Sequence, residues 1–258
     1  MGRLVIENPR SMRGILKFFR WNIRDALATW KRDARAWRRF WNDYETYNQM
    51  MPMGQQLDRK YLYPCLHDDT DETIIEPIYF YQDAWAFEKI VERKPRLHMD
   101  VGSHHKYVAL LSKVVPVTMV DIRPPSLELD SVKFMKGSIL DLPFQDGSAP
   151  SVSSLCVVEH IGLGRYGDPL DPLGTEKAIT ELKRILTPGG DLYLSIPLDD
   201  ENRIYFNAHR AFAEPYLETL LEPFHIVERR YIYGRTFGGE RKSGFGIGCY
   251  HVQRPDYR

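Results

Sequence analysis

Residues Leu97-His98-Met99-Asp100-Val101-Gly102-Ser103-His104-His105 form the stretch of this chain best suited to chemistry. A short apolar run ends on an acid and then on a glycine that opens a turn. A second apolar run, Val117–Val120, ends on Asp121. An acid at such a strand tip can hold two ribose hydroxyls, and the glycine lets backbone approach a ligand closely. Tyr81 and Gln82 lie just ahead, where they would close over a bound nucleotide. The pair His104-His105 does not read as a metal site, because adjacent turn residues diverge and no third ligand is evident.

The elements around these residues follow from periodicity. Strands are expected at Leu97–Val101, Val117–Asp121, Val132–Met135, Ser151–Val158 and Asp191–Ile196. The fourth is apolar nearly throughout, as befits a parallel strand covered on both faces. It ends on Glu159-His160. Helices are expected near Lys106–Val114, Thr175–Leu186 and Glu214–Leu221, the second stopped by Pro188-Gly189-Gly190. Ahead of them, Asp83 reads as the N-cap or first-turn acid of a helix carrying Trp85, Ala86, Lys89 and Ile90. Two final strands, Phe224–Tyr233 and Ile247–Gln253, have no helix between them and are therefore expected to be antiparallel.

The N-terminal region is different. Residues 13–47 carry apolar side chains at Leu16, Phe19, Ile23, Ala26, Trp30, Trp37, Phe40 and Tyr44, the spacing of one long helix, perturbed at Asp33. Residues 1–45 hold 11 Lys and Arg against 5 Asp and Glu, a surplus of six positive charges in a chain whose formal net charge is 0. Such a helix fits a packing face against the following domain or a second copy, or an anionic membrane surface. Residues 48–76 show no period and read as a connector, with an acidic run, His67–Glu72, that lacks the spacing of a calcium loop.

Composition bounds the rest. The 258 residues suit one full domain, expected at 61–258, plus an N-terminal helical extension over 1–60. A neutral chain offers no global field for nucleic acid. Cys65, Cys156 and Cys249 are far apart and unpaired in spacing, which argues for a reducing, cytoplasmic setting and against zinc. No apolar run reaches the roughly 18 residues of a membrane span, and no N-terminal segment reads as a signal peptide.

In this order and spacing, four features resemble a class I S-adenosylmethionine-dependent methyltransferase. They are Asp100–Ser103, Asp121, Leu142-Pro143-Phe144-Gln145-Asp146-Gly147-Ser148, and Glu159-His160 followed by Leu186-Thr187-Pro188-Gly189-Gly190. The resemblance covers about residues 79–254. The stretch Glu159–Pro172 and Phe206-Asn207-Ala208-His209-Arg210 is similar, more narrowly, to an uncharacterised methyltransferase-like family of nematodes and bacterial surface-saccharide gene clusters.

The resemblance implies an α/β fold. Its core is a doubly wound Rossmann-like sheet, mostly parallel with an antiparallel last strand. It implies S-adenosylmethionine as cofactor, framed by Asp100, Gly102 and Ser103. Asp121 would take the ribose hydroxyls, with Ile122, Ser138 and Ile139 bordering the adenine and Glu159 and His160 near the transferred methyl. His160 is the first candidate for a general base and His209 the second. Asp168 and Asp171 would orient a sugar, and Arg165, Tyr166 and Arg210 would bind the acceptor. Two departures stand out: His104 and Lys106 occupy places usually held by glycine, and Ser138 one often held by Asp. Three activities remain open. They are O-methylation of a saccharide or saccharide-linked acceptor, methylation of another small molecule, and a non-catalytic fold that binds a partner, or a second copy, through the helix.

Overall fold

A computed structural model describes residues 12–256, with side chains described from residue 25 onward. The chain divides into two compact units at Ile74/Ile75, fourteen residues beyond the division expected from composition. The connector, with its acidic run, therefore belongs to the first unit.

The first unit is built on α1, Met12–Met50, unbroken over 39 residues. Asp33 does not interrupt it; its carboxylate lies 3.3 Å from His67 Nε2. The connector folds back along one face of this helix. Asn48 Oδ1 accepts from Leu57 N at 2.7 Å, Tyr44 OH donates to the Leu57 carbonyl, and Arg39 reaches Leu66 O and the Asp69 carboxylate. The stripe expected from the sequence thereby divides. Ala36 is buried and Phe40 and Tyr44 are half-buried, whereas Trp30 and Trp37 are open.

In the second unit, α2 spans Pro77–Arg93. It starts six residues before Asp83. The N-cap is Glu76, whose carboxylate accepts from Ile78 N at 2.8 Å, and Pro77 fills the first helical position, where its missing N–H costs nothing. Asp83 thus lies inside the helix. The strands are β1 His98–Val101, β2 Val117–Asp121, β3 Val132–Lys136, β4 Ala149–Leu155, β5 Leu186–Leu198, β6 Arg203–Tyr205, β7 His209–Ala211, β8 His225–Tyr233, β9 Thr236–Gly238 and β10 Gly246–Gln253. The remaining helices are α3 His105–Leu111, α4 Gly174–Ile185 and α5 Glu214–Leu221.

The main sheet runs β3-β2-β1-β4-β5-β10-β8-β9. Its first five strands are parallel, and β10 runs antiparallel to both β5 and β8, as expected of the Rossmann-like architecture. The sheet is covered on both faces. One face packs Met99, Val101, Leu192 and Leu194 against Ala178, Ile179 and Leu182 of α4 and Leu217 of α5. The other packs Tyr193 and Cys249 against Trp85 and Ile90 of α2 and Val108 and Leu111 of α3. The alternation along β1 and β5 is the two-residue period of a strand covered on both sides. The connections from β2 to β3 and from β3 to β4 carry no α-helix, and the hairpin β6–β7 and the strand β9 were not evident from sequence.

Candidate active site

Strand order reverses at β1, which pairs with β2 on one side and β4 on the other. The crevice beyond the carboxyl ends of strands at such a switch point is where open α/β sheets bind ligands. Here it is bordered by the Gly102 turn, the tip of β2, the residues after β3 and the segment after β4.

The turn is held from beneath. Asp100 is fully buried and does not face the cleft. Its Oδ1 accepts from Ser103 N at 3.1 Å and its Oδ2 accepts from Ser153 Oγ at 2.6 Å. Ser103 Oγ in turn accepts from Leu155 N, tying the turn to β4. With Ser153 donating to Asp100, its oxygen is free to accept from Tyr107 OH and from His98 Nε2 at 2.8 Å. His98 Nδ1 then accepts from Ser151 Oγ, which fixes a neutral tautomer. Burial agrees, holding His98 down to about 3 and pushing Asp100 up to about 6 against the opposing pull of Ser103 and Ser153. Gly102 sits at φ +74°, and a Cβ there would lie 2.9 Å from Val157 Cγ1. The position requires glycine on both counts.

Asp121 lines the cleft, with Oδ1 accepting from Arg123 N at 2.7 Å. Ile122, Gly137 and Ile139 line the same side. Ser138 does not. Its hydroxyl accepts from Leu140 N instead.

Strand β4 stops at Leu155, three residues earlier than the apolar run suggests. Cys156 adopts φ +52°, in the left-handed region, and turns the chain into a single 3-10 turn, Val158–His160. His160 lines the cleft. Its Nδ1 stands 2.7 Å from the Ala208 carbonyl, which can only accept, and 3.3 Å from Arg165 Nη1, which can only donate; the shorter contact favours the proton on Nδ1 and the lone pair on Nε2. Burial, opposed by the Ala208 bond and helped by the Arg165 guanidinium, pulls its pKa down to about 4. The imidazole is therefore neutral near pH 7.

Glu159 is buried rather than presented to the cleft. Its Oε1 lies 3.7 Å from His160 Nε2, and its Oε2 has no hydrogen-bond partner among the described residues. Burial pushes its pKa up to about 8. The folded protein then keeps a proton on Glu159 that the unfolded chain has lost, so stability falls as pH rises toward 8. In the unfolded chain His98 and His160 are half-protonated at about pH 6.5 and mostly neutral by about pH 7.5, and Asp83, pushed up to about 7 by burial, adds a decline of its own. Both contributions are common to the unaltered protein and the variant and cancel in their difference. Glu159→Gln is expected to remove a fall of about 1.4 kcal/mol per pH unit between pH 6.5 and 8. Urea midpoints measured across that window check it, and parallel declines in both proteins would refute the assignment.

Several residues that read as chemistry are engaged in holding the fold. Tyr81 and Gln82 lie within α2. Tyr81 OH donates to the Arg235 carbonyl and its ring stacks on Phe237, while Gln82 Oε1 accepts from Ser195 Oγ and Cys156 Sγ. Tyr79, two residues before Tyr81, is the α2 residue that lines the cleft. Asp168 organises its own loop, accepting from Gly162 N and Tyr166 N. Asp171 accepts from Leu173 N at the start of α4 and pairs with Lys177. Arg210, buried, donates to the Asp171 carbonyl and pairs with Glu176. Arg165 donates to the Ala208 carbonyl. His209 lies on β7 against Tyr205 and Phe245, away from the cleft lining.

Tyr166 alone of the expected acceptor residues reaches the cleft, where its ring meets the Arg123 guanidinium at 4.4 Å and the edge of His160. His104 and His105, stacked 4.5 Å apart, also line it, and the described residues hold no cluster suited to a metal ion. Cys156 and Val157 complete the floor, at a bend that no local sequence signal announces.

Comparison with known proteins agrees with the architecture. A family described as "Caenorhabditis protein of unknown function, DUF268" matches residues 146–243. No curated protein matches the chain. Among solved structures, 1,6-didemethyltoxoflavin-N1-methyltransferase of Burkholderia thailandensis, bound to 1,6-didemethyltoxoflavin and S-adenosylhomocysteine, is 18% identical. It covers 72% of this chain and 94% of its own, with a TM-score of 0.51. The N-methyltransferase NodS of Bradyrhizobium japonicum, in complex with S-adenosylhomocysteine, is 15% identical over 74% of this chain and 92% of its own, with a TM-score of 0.52. The [4+2]-cyclase SpnF is 14% identical over 67% and 81%, with a TM-score of 0.50. The fold is thus that of class I methyltransferases, which also carries other chemistry.

Proposed function

We propose that residues 75–258 form an S-adenosylmethionine-dependent methyltransferase, and that its acceptor is a hydroxyl of a small molecule, a saccharide or saccharide-linked compound. One observation carries the reading: the Gly102 turn and the Asp121 carboxylate border one cleft at the switch point of the sheet. The residues present fit the cofactor. The cradle at Gly102 is one that a Cβ would fill, and Asp121 stands at the tip of the second strand as a ribose site requires. Ile122 and Ile139 offer apolar flanks for an adenine.

When bound, the cofactor would supply a methyl group already activated by its sulfonium, so the protein's share is alignment and exclusion of water. Gly102 and Ser103 would cradle the methionine portion, and Asp121 would accept from the ribose hydroxyls. His160 Nε2 would take the proton released as the acceptor oxygen bonds to the methyl carbon. A depressed pKa keeps that nitrogen unprotonated far below neutrality. The saccharide assignment rests on the resemblance of Glu159–Pro172. With Asp168, Asp171 and Arg210 engaged in the fold, selection of a sugar falls to Tyr79, Tyr166 and His104 at the cleft, whose rings combine an apolar face with a polar edge. Three free cysteines accord with a cytoplasmic setting.

A second reading, a methyltransferase fold without methyl transfer, is favoured by the likeness to a cyclase. Calorimetric titration with S-adenosylhomocysteine tests the nucleotide site, and transfer of a labelled methyl group to an acceptor separates the two readings. Binding is expected, together with a raised melting temperature. Gly102→Val, which meets both the positive φ and Val157, should abolish it; no binding by the unaltered protein at millimolar ligand would overturn the proposal.

A further inference from the structure

We infer that α1 docks on an anionic lipid surface. The connector covers the face of α1 that carries Asp33, Ala36, Phe40 and Tyr44. The neighbouring face, Leu27, Trp30, Ala34, Trp37 and Trp41, recurs every three or four residues and lies open. Trp30 is 67% exposed, Leu27 53% and Trp37 41%. Two bare tryptophans on one stripe are an uncommon feature of a water-facing helix, because each leaves a large apolar ring in water.

Charge identifies the occupant. Lys31, Arg35 and Arg38 follow the open stripe along its edge, each exposed and without an ion pair among the described residues. In the sequence, Arg13, Lys17, Arg20 and Arg24 continue that series, and Leu16, Phe19 and Ile23 continue the apolar one. An apolar stripe with tryptophan, bordered by a row of Lys and Arg, is the pattern of a helix lying in a bilayer interface. The rings enter the headgroup boundary while the cations meet anionic lipid. A second copy is the poorer occupant. An isologous antiparallel pairing of this face would set the basic row against its own counterpart. No described helix is long and apolar enough to cross a membrane, so the contact is peripheral.

The test uses the full chain with vesicles of mixed phosphatidylcholine and phosphatidylglycerol, and with pure phosphatidylcholine vesicles. Co-sedimentation with the mixed vesicles is expected, with a blue shift of tryptophan emission and reversal by high salt. Replacing Lys31, Arg35 and Arg38 together by Gln should weaken partition roughly a hundredfold. Trp30→Ala with Trp37→Ala should remove most of the blue shift, leaving only that of Trp41, and circular dichroism should show the helix retained. Absence of sedimentation with mixed vesicles, or equal sedimentation with both kinds, would overturn the inference. So would self-association without lipid that the two tryptophan replacements abolish.

Discussion

His160→Ala is expected to lower turnover by about 10²- to 10⁴-fold while leaving affinity for S-adenosylhomocysteine within about twofold. The split follows from geometry. The side of the cleft proposed to hold the nucleotide is lined by Gly102, Asp121, Ile122 and Ile139, none of which is hydrogen-bonded to His160. The imidazole belongs to a separate structure, the 3-10 turn after β4, oriented by the Ala208 carbonyl at 2.7 Å. Its removal takes away a proton acceptor and leaves the cradle. The pH profile gives an independent readout. A base of ordinary histidine character would lose activity as pH falls through about 6.5. Burial holds His160 near 4, so its basic form survives to that pH, and the acid limb of turnover should lie well below 6. Single-turnover rates across pH 4–8, alongside calorimetry, check both statements. A variant with weakened cofactor binding and intact turnover at saturation would remove His160 from the chemistry.

What was legible in the sequence divides along physical lines. The strands β1, β2 and β4 and the acid at the tip of β2 could be read because a covered parallel strand is apolar over its own few residues. Period and composition are local, and a single strand carries them. The start of α2 was misplaced for an equally local reason. Asp83 looks like a cap, but the competing signal Glu76-Pro77 lies nearly two turns earlier and is better satisfied, with an N-cap carboxylate bonded to Ile78 N. That shift replaces Tyr81 and Gln82 with Tyr79 at the cleft.

The polar loop after β4 misled for a different reason. Asp168, Asp171, Arg165 and Arg210 have the donor and acceptor types of a sugar site, and nothing in their order distinguishes a ligand from the chain itself. A glycine- and proline-rich loop has few backbone ladders, so side chains must satisfy its N–H and C=O groups. Asp168 does so for Gly162 and Tyr166, and Arg210 does so for the Asp171 carbonyl from 39 residues away. The buried line His98–Ser153–Asp100 was invisible for the same reason: it joins residues more than fifty positions apart, brought together by the pairing of β1 with β4.

Asp121→Ala is expected to weaken S-adenosylhomocysteine binding by about 10²-fold or more. A carboxylate accepting two hydroxyls makes two bonds of about 1.5–3 kcal/mol each, and every 1.4 kcal/mol is tenfold. The fold should survive, because β2 is held by parallel pairing with β1 and β3 on either side and its buried residues end at Val120. The local cost is one turn bond, Asp121 Oδ1 to Arg123 N. Asp121→Asn separates the two contributions. An amide oxygen can still accept from Arg123 N, so the turn is retained while one acceptor for ribose is lost, and a loss of about tenfold is expected. Calorimetry on the three proteins gives the order, and thermal melts without ligand show whether the turn has changed. If Ala and Asn weaken binding equally with unchanged melts, the contact is one of charge rather than of two paired hydroxyls. If neither weakens it, Asp121 holds no ribose and the nucleotide reading of this cleft fails.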